Sequence, residues 1–379
     1  MRRIYLDNAA STPIDPKVLK VMEPYFSKKF GNSSSFHYFG REVKNALNES
    51  RQIIAKSINA KPEEIIFTSG GTESNNFALK GISFTNSGHI ITTKIEHDCI
   101  LKSCQWLEKQ RLEITYLDVN PEGFINLKDL EKAIDQKTIL VSVIHANNEI
   151  GTIQDIKAIG KICQKKKVYF HTDACQSYTK VPIDVKEMAI DLMTINSHKI
   201  YGPKGIGALY IRKGIKIEPW QHGGGQEFGW RAGTENVAAI VGFAAACQLD
   251  PQVKKIARLQ KYFIQKIQKK IEGVSLNGPQ PGKNRLCNNI NLSFKSIKAE
   301  ALLILLDEAG IAISLGSVCS SYALEPSHVL KAIGLSLPEI EGSIRISLGK
   351  DTTKEEIDLA IEVFKKAVRK LREIPRGQK

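Results

Sequence analysis

One lysine stands out for its setting. Asp191 to Gly207 reads DLMTINSHKIYGPKGIG. Leu192-Met193-Thr194-Ile195 has the length and β-branching of a buried strand, and it delivers Asn196-Ser197-His198-Lys199 at its exit. Tyr201-Gly202-Pro203-Lys204-Gly205 then turns the chain, because Gly and Pro are the strongest local breakers. An amine held at the end of a rigid strand, beside a histidine, has the setting a Schiff base requires: desolvation and fixed aim make it a usable nucleophile. A solvated loop lysine is the other reading of the same residues.

Other reactive groups follow a similar pattern. Ser69-Gly70-Gly71-Thr72-Glu73-Ser74 lies directly after the apolar run Glu64–Thr68 and before a predicted helix at Asn75–Lys80. Backbone N–H groups at such a helix start bind phosphate, and glycine allows close approach; a plain helix cap fits equally well. His97, the Asn147-Asn148-Glu149 run, and Asp173 with Gln176 each follow a different apolar run. Taken singly, His97 reads as a loop histidine and Asp173 as a cap. Near the C-terminus, Ser314 to Ser321 is a Gly- and Ser-rich segment centred on Cys319, the setting of an exposed reactive thiol or of a small residue in a tight loop. Arg345, mid-run in Ser343–Ser347, needs a buried partner: a substrate carboxylate gripped by both arms, or a structural acid. A Schiff-base lysine, a phosphate loop and an acid able to face a ring nitrogen together describe a pyridoxal phosphate (PLP) site. The cysteine adds a step that plain transamination does not need.

The elements that would position these groups alternate. Apolar runs at 64–68, 89–93, 113–117, 138–145, 168–173, 192–196 and 207–211 are separated by helical patterns at 98–109, 127–134 and 153–165. Such alternation predicts an α/β fold with a mostly parallel seven-stranded sheet covered on both faces, and ligands at the carboxyl ends of its strands. Further helices are predicted from Pro16, with Leu19 and Phe26 on its apolar face, and at 42–58, 238–248 and 251–271. Beyond these lies a smaller α/β unit: strands at 287–294, 311–314 and 343–348, helices at 298–309 and 327–333, and a last helix from about 353 capped by Thr352-x-x-Glu355. The domain organisation predicted is residues 1–15 packing with the small domain, a large domain at 16–252 and a small domain at 253–379.

Composition excludes several classes. The 379 residues are 42% hydrophobic and 25% charged, ordinary for a globular protein, with a formal net charge of +14. The densest basic clusters, Lys165–Lys167, Lys254-Lys255 and Lys269-Lys270, fall on helix-like segments and read as solvated faces. No aromatic-interleaved basic repeat points to direct nucleic-acid binding. The longest nearly apolar stretch, Ala238–Cys247, is too short to span a membrane, and an acid at Asp7 argues against a secretory leader. Seven cysteines without a C-x-x-C pair argue against a disulfide framework or a metal site, so a reducing cytoplasm is expected.

Nearly the whole chain resembles the NifS/IscS-type cysteine desulfurases, class V members of the fold-type I PLP enzymes. The resemblance rests on YLDNAASTP, TSGGTESNN, Glu96-His97, HANNEIGTIQDI, HTDACQ, SHKIYGPKGIGALY, HGGGQE, RAGT, the cysteine loop and SIRISLG. It implies that Lys199 holds PLP and moves the Cα proton, Asp173 faces the pyridine nitrogen, and His97 stacks on the ring. Gln176 and Asn148 would contact the ring oxygen side and the substrate. Gly71, Thr72, Asn196, Ser197 and His198 would surround the phosphate, with Thr234 arriving from the other subunit of a homodimer. Arg345 would bind the carboxylate of L-cysteine, and Cys319 would take the sulfur as a persulfide, release L-alanine and pass the sulfur to an iron–sulfur scaffold or a tRNA-thiolation protein. Family members usually carry serine where Asn196 stands. A selenocysteine lyase, an aminotransferase or a catalytically idle scaffold are the alternatives; an aminotransferase has no use for Cys319, and the complete set of lysine, aspartate, histidine and cysteine argues against an idle scaffold.

Overall fold

The computed structural model describes residues 3–315 and 326–373. Its main sheet contains β2 (Ile65–Thr68), β3 (His89–Thr93), β4 (Glu113–Leu117), β5 (Thr138–Ser142), β6 (Tyr169–Asp173), β7 (Leu192–Asn196) and β8 (Gly207–Ile211), in the order β2-β8-β7-β6-β5-β3-β4. All neighbours pair in parallel except β8, which is antiparallel to both β2 and β7. The alternation along each strand feeds two cores. Ile65, Phe67, Val141, Met193, Ile195, Ala208 and Tyr210 point to one face, and Ile66, Leu140, Leu192, Leu209 and Ile211 to the other.

Helices cover both faces. They are α1 (Pro16–Met22), α2 (Pro24–Ser27), α3 (Tyr38–Ser57), α4 (Gly71–Thr85), α5 (Asp98–Lys109), α6 (Leu127–Ala133), α7 (Ile156–Lys166) and α8 (Val237–Cys247). A separate apolar cluster gathers α9 (Val253–Lys270), α10 (Ala299–Glu308) and α13 (Lys354–Glu373) against β10 (Asn289–Phe294) and β13 (Ser343–Ser347). Ile4 and Leu6 belong to this second cluster, since β1 (Ile4–Tyr5) pairs in parallel with β11 (Ile311–Ala312). The four-stranded sheet β12-β13-β10-β9 adds β9 (Val274–Leu276) and β12 (Ser314–Leu315). Two short helices, α11 (His328–Ala332) and α12 (Leu337–Glu341), lie between β12 and β13 in the chain.

Several expected boundaries move for physical reasons. Pro24 has no N–H to continue the first helix, so α1 stops and α2 restarts. Leu19 and Phe26, expected on a buried face, are 52% and 65% exposed. Helix α3 begins four residues earlier than its apolar period, because the His37 ring accepts from the Gly40 amide and caps it. The box before α13 is Thr353 with Glu356, whose groups bond each other's amides; Thr352 instead accepts from Gly349. The run 311–314 is divided between two sheets at Ile313. Strand β9 is too short to carry a period.

Candidate active site

The sheet order decides which groups meet. Strands β7, β6, β5 and β3 are consecutive neighbours with one direction, and β2 runs the same way beyond β8. Their carboxyl ends therefore present Asn196–Lys199, Asp173–Gln176, Ala146–Glu149, His97 and Ser69–Gly71 along one edge.

Asp173 closes β6 and is buried. Its Oδ1 accepts from the Cys175 amide at 2.9 Å and its Oδ2 from Asn75 Nδ2 at 2.7 Å. Among the described residues this carboxylate has no ion pair. A buried carboxylate bonded only to neutral donors has room for a cation. Asn75 also donates to Cys99 Sγ at 3.0 Å, and that sulfur lies 3.0 Å from His97 Nδ1. The Cys99 amide donates to the same ring nitrogen, so Nδ1 is the acceptor and the proton of the neutral ring sits on Nε2. Asp173, Asn75, Cys99 and His97 thus form one hydrogen-bonded row.

Lys199 follows β7 in a turn fastened at several points. The Ser197 carbonyl accepts from the Ile200 and Gly202 amides. Thr12 bonds the His198 carbonyl through its amide and hydroxyl, and its hydroxyl accepts from the Tyr201 amide at 2.8 Å. Tyr201 occupies the left-handed region at φ 67°. A Cβ on Gly202 would fall 1.9 Å from Ser197 Oγ, so only glycine fits there. The lysine's charge is felt by its neighbours. Burial lowers the pKa of His97 and of His198, the latter to about 4, and the Lys199 ammonium lowers both further. Burial raises Cys99 to about 12 and Cys175 well above its ordinary value, and Lys199 opposes both rises.

Gly71 and Asn196, two of the residues expected around a phosphate, lie close together. Helix α4 begins at Gly71 itself, four residues earlier than expected, with Gly70 before it at φ 153°. A Cβ on Gly71 would meet Cys175 Sγ at 2.7 Å and Asn196 Nδ2 at 3.5 Å. Ser197 Oγ and Asn196 Oδ1 are buried with no hydrogen-bond partner among the described residues. An orphaned hydroxyl, a close-packed glycine and a helix N-terminus suit a phosphate, and Asp173 suits a protonated pyridine nitrogen. The residues present therefore fit PLP.

The remaining expected residues are placed as follows. Thr72 follows Gly71 in the first turn of α4. His198 Nδ1 lies 3.3 Å from Ser11 Oγ. Gln176 Nε2 donates to the Ala9 carbonyl at 3.0 Å. Arg345 is 3% exposed; it pairs with Asp7 at 3.0 Å and reaches the Asn148 carbonyl at 3.4 Å. A structural acid is therefore one of its partners. Thr234 is exposed on the segment before α8, which Arg231 ties to Glu73 of α4. Cys319 lies outside the described residues. Asn75, Cys99 and Asp7 were missed by sequence reading. Asn75 gave one signal, an amide among the apolar positions of a helix directly after the glycines.

The family model for class-V aminotransferases matches residues 4–359. The chain belongs to this family, and PLP is its cofactor. It is 51% identical over 381 residues to the cysteine desulfurase IscS of Dictyoglomus turgidum, covering 98% of this chain and 96% of that one. It is 46% identical to the human cysteine desulfurase, covering 99% of this chain and 83% of the relative. Among solved structures, a NifS-like protein superposes with a TM-score of 0.91 at 36% identity, covering 98% of this chain and all of that one. A structure described as SspA in complex with cysteine gives 0.84 at 40% identity, covering 92% of this chain and 100% of the other.

Proposed function

We propose that the chain is a PLP-dependent L-cysteine desulfurase, and that the cysteine sulfur leaves as a persulfide on Cys319. The observation that carries this reading is the buried Asp173 carboxylate, without an ion pair among the described residues, beside the turn of Lys199. When bound, PLP supplies an electron sink for charge at the substrate Cα. Lys199 holds the cofactor and moves the Cα proton. Asp173 keeps the ring nitrogen protonated, with Asn75 orienting it. His97, neutral and protonated on Nε2, would stack on the bound ring. Gly71, Thr72, Asn196, Ser197 and His198 hold the phosphate. Gln176 and Asn148 would contact the ring oxygen and the substrate, and Arg345 would take the substrate carboxylate.

The sulfur step balances without an outside oxidant. The Cys319 thiolate attacks the substrate sulfur, the C–S bond breaks with its electrons left on carbon, and protonation of that carbon yields L-alanine. Each of the six described cysteines has its thiol pKa raised by burial, so each is a poor source of thiolate at neutral pH. This supports Cys319 as the nucleophile.

The working form is a cytoplasmic homodimer in which Thr234 reaches the partner's cofactor phosphate. Phe26, Phe30, Phe36, Tyr38 and Phe39, all exposed around the start of α3, form an apolar patch suited to a second copy. The sulfur then goes to an iron–sulfur scaffold or a tRNA-thiolation protein. The test is incubation with PLP, L-cysteine and an excess of a dithiol reductant that releases the persulfide sulfur as sulfide, with alanine and sulfide measured together. One alanine per sulfide is expected, and Cys319→Ser keeps cofactor binding but forms no persulfide. A persulfide on Cys99, Cys104 or Cys175 would move the assignment, and Lys199→Ala with normal alanine release would refute it.

A further inference from the structure

A second cleft, of about 520 Å³, opens where the start of α9 faces residues 180–182 and 281–287. Five cationic side chains line it: Lys180, Arg258, Lys261, Lys283 and Arg285. Its lining includes no carboxylate. Among the described residues none of the five takes part in an ion pair, whereas neighbouring basic residues do, as in Lys266–Asp358 and Lys350–Asp15. Arg285 is 2% exposed, and its guanidinium is bonded only to neutral oxygens: the carbonyls of Asn277, Pro279 and Asn289 and the Asn289 amide. Lys180 Nζ is likewise bonded only to the carbonyls of Gln176 and Lys199, at 3.1 Å each. Burial lowers Lys180 to about 8 and Arg285 to about 9, the direction expected for desolvated cations lacking a counter-charge.

We propose that this cleft binds a compact phosphate- or sulfate-type dianion, and that its occupancy steadies the Lys199 turn. The cleft is the size of an ordinary small-molecule site. Three of its cations are lysines, point charges with rotatable donors, and these suit a tetrahedral oxyanion that accepts from all sides. Lys180 provides the coupling. Besides lining this cleft, it lines a small cavity with Lys199, and its ammonium holds the Lys199 carbonyl. An anion that fixes Lys180 also fixes the turn. This site is distinct from the phosphate cradle at Gly71, and the proposal does not depend on the desulfurase reading.

The probe is inorganic sulfate, titrated calorimetrically at constant ionic strength into protein loaded with PLP, whose bound phosphate already fills the cofactor's own site. Saturable binding is expected. The double change Lys261→Gln with Lys283→Gln, at two exposed positions, should weaken it at least about tenfold, the scale of one or two lost charge-assisted contacts. The control pair Lys365→Gln with Lys366→Gln on α13 removes the same charge and should leave binding unchanged. Hydrogen exchange at residues 197–202 should slow when sulfate is bound. Absence of saturable binding, or equal weakening by both pairs, would overturn the site, since the attraction would then be to net charge alone. Unchanged exchange at 197–202 in the saturated protein would overturn the coupling.

Discussion

Replacing Arg345 by lysine separates two roles the structure allows it. The side chain lies mid-β13, opposite Asn291 and Ser314, and it already holds Asp7. If it also grips the substrate carboxylate, both arms of the guanidinium count. Each charge-assisted bond contributes about 1.5–3 kcal/mol, and lysine keeps the charge but forfeits one arm. The loss of one bond raises KM for L-cysteine about 10- to 150-fold, at tenfold per 1.4 kcal/mol. The cost to folding is smaller, because the Asp7 side chain is 17% exposed and keeps a cationic neighbour. The assay is initial alanine formation over a cysteine series, with cofactor loading checked by absorbance and stability by thermal unfolding. Asp7→Asn is the companion: it removes a carboxylate competing for the same guanidinium, so KM should stay level or fall. If Arg345→Lys leaves KM within about twofold of the parent while Tm drops, the arginine serves only to anchor Asp7 and the substrate assignment is refuted.

Three further outcomes are expected. Cys99→Ala removes a neighbour of His97 Nδ1 that favours the neutral ring, so the acid limb of the kcat/KM profile should move up by about half to one pH unit; Cys99→Ser should restore it, and an unmoved limb in the alanine variant contradicts the row from Asp173 to His97. Glu96 is fully buried and burial raises its pKa from 4.5 to about 8. The folded chain then keeps a proton the unfolded chain has released, a stabilisation fully present below about 4.5 and lost as pH rises through about 8. Relative to Glu96→Gln, parent stability should fall by about 1.4 kcal/mol per pH unit inside that window, measured by urea unfolding; a flat difference sinks the assignment. Arg51 grips Glu227 with both arms at 2.7 Å in the core. Arg51→Met should cost about 3–5 kcal/mol by stranding that carboxylate, and a loss under about 1 kcal/mol would mean the pair is dispensable.

Strands β3, β4, β7 and β8 and helix α5 were legible to the residue, because each is an apolar run or period with clear breakers at both ends. Where the signal was conformational the reading slipped. Helix α4 starts at Gly71 rather than Asn75, since small polar residues that look like loop also serve as a helix's first turn. Strand β5 formally ends at Ser142, yet the Val143 and His145 amides still donate to β6, so the longer apolar run described real extended chain. Lys199, Asp173 and His97 stand after or at the ends of strands, where the sequence pattern put them. Their supporting partners were not legible, because a hydrogen bond between Asn75 and Asp173 spans 98 positions and leaves no periodic trace.

The same limit explains the N-terminal segment, which reads as a turn and acts as a strap. Within six residues Asp7 holds Arg345, the Ala9 carbonyl receives Gln176, Ser11 meets His198, and Thr12 fastens the turn between His198 and Tyr201. Its other end is pinned to the second core through Ile4, Leu6 and the Asn8–Ser347 bond. Three groups brought from β6, β7 and β13 are thus referenced to one short stretch of chain. A strand end places a side chain only to within the freedom of the turn after it. Precise placement of Lys199 has to come from contacts across that turn, and here they come from Thr12. Loosening residue 12 should therefore disturb Lys199 more than any change within the apolar strand that carries it.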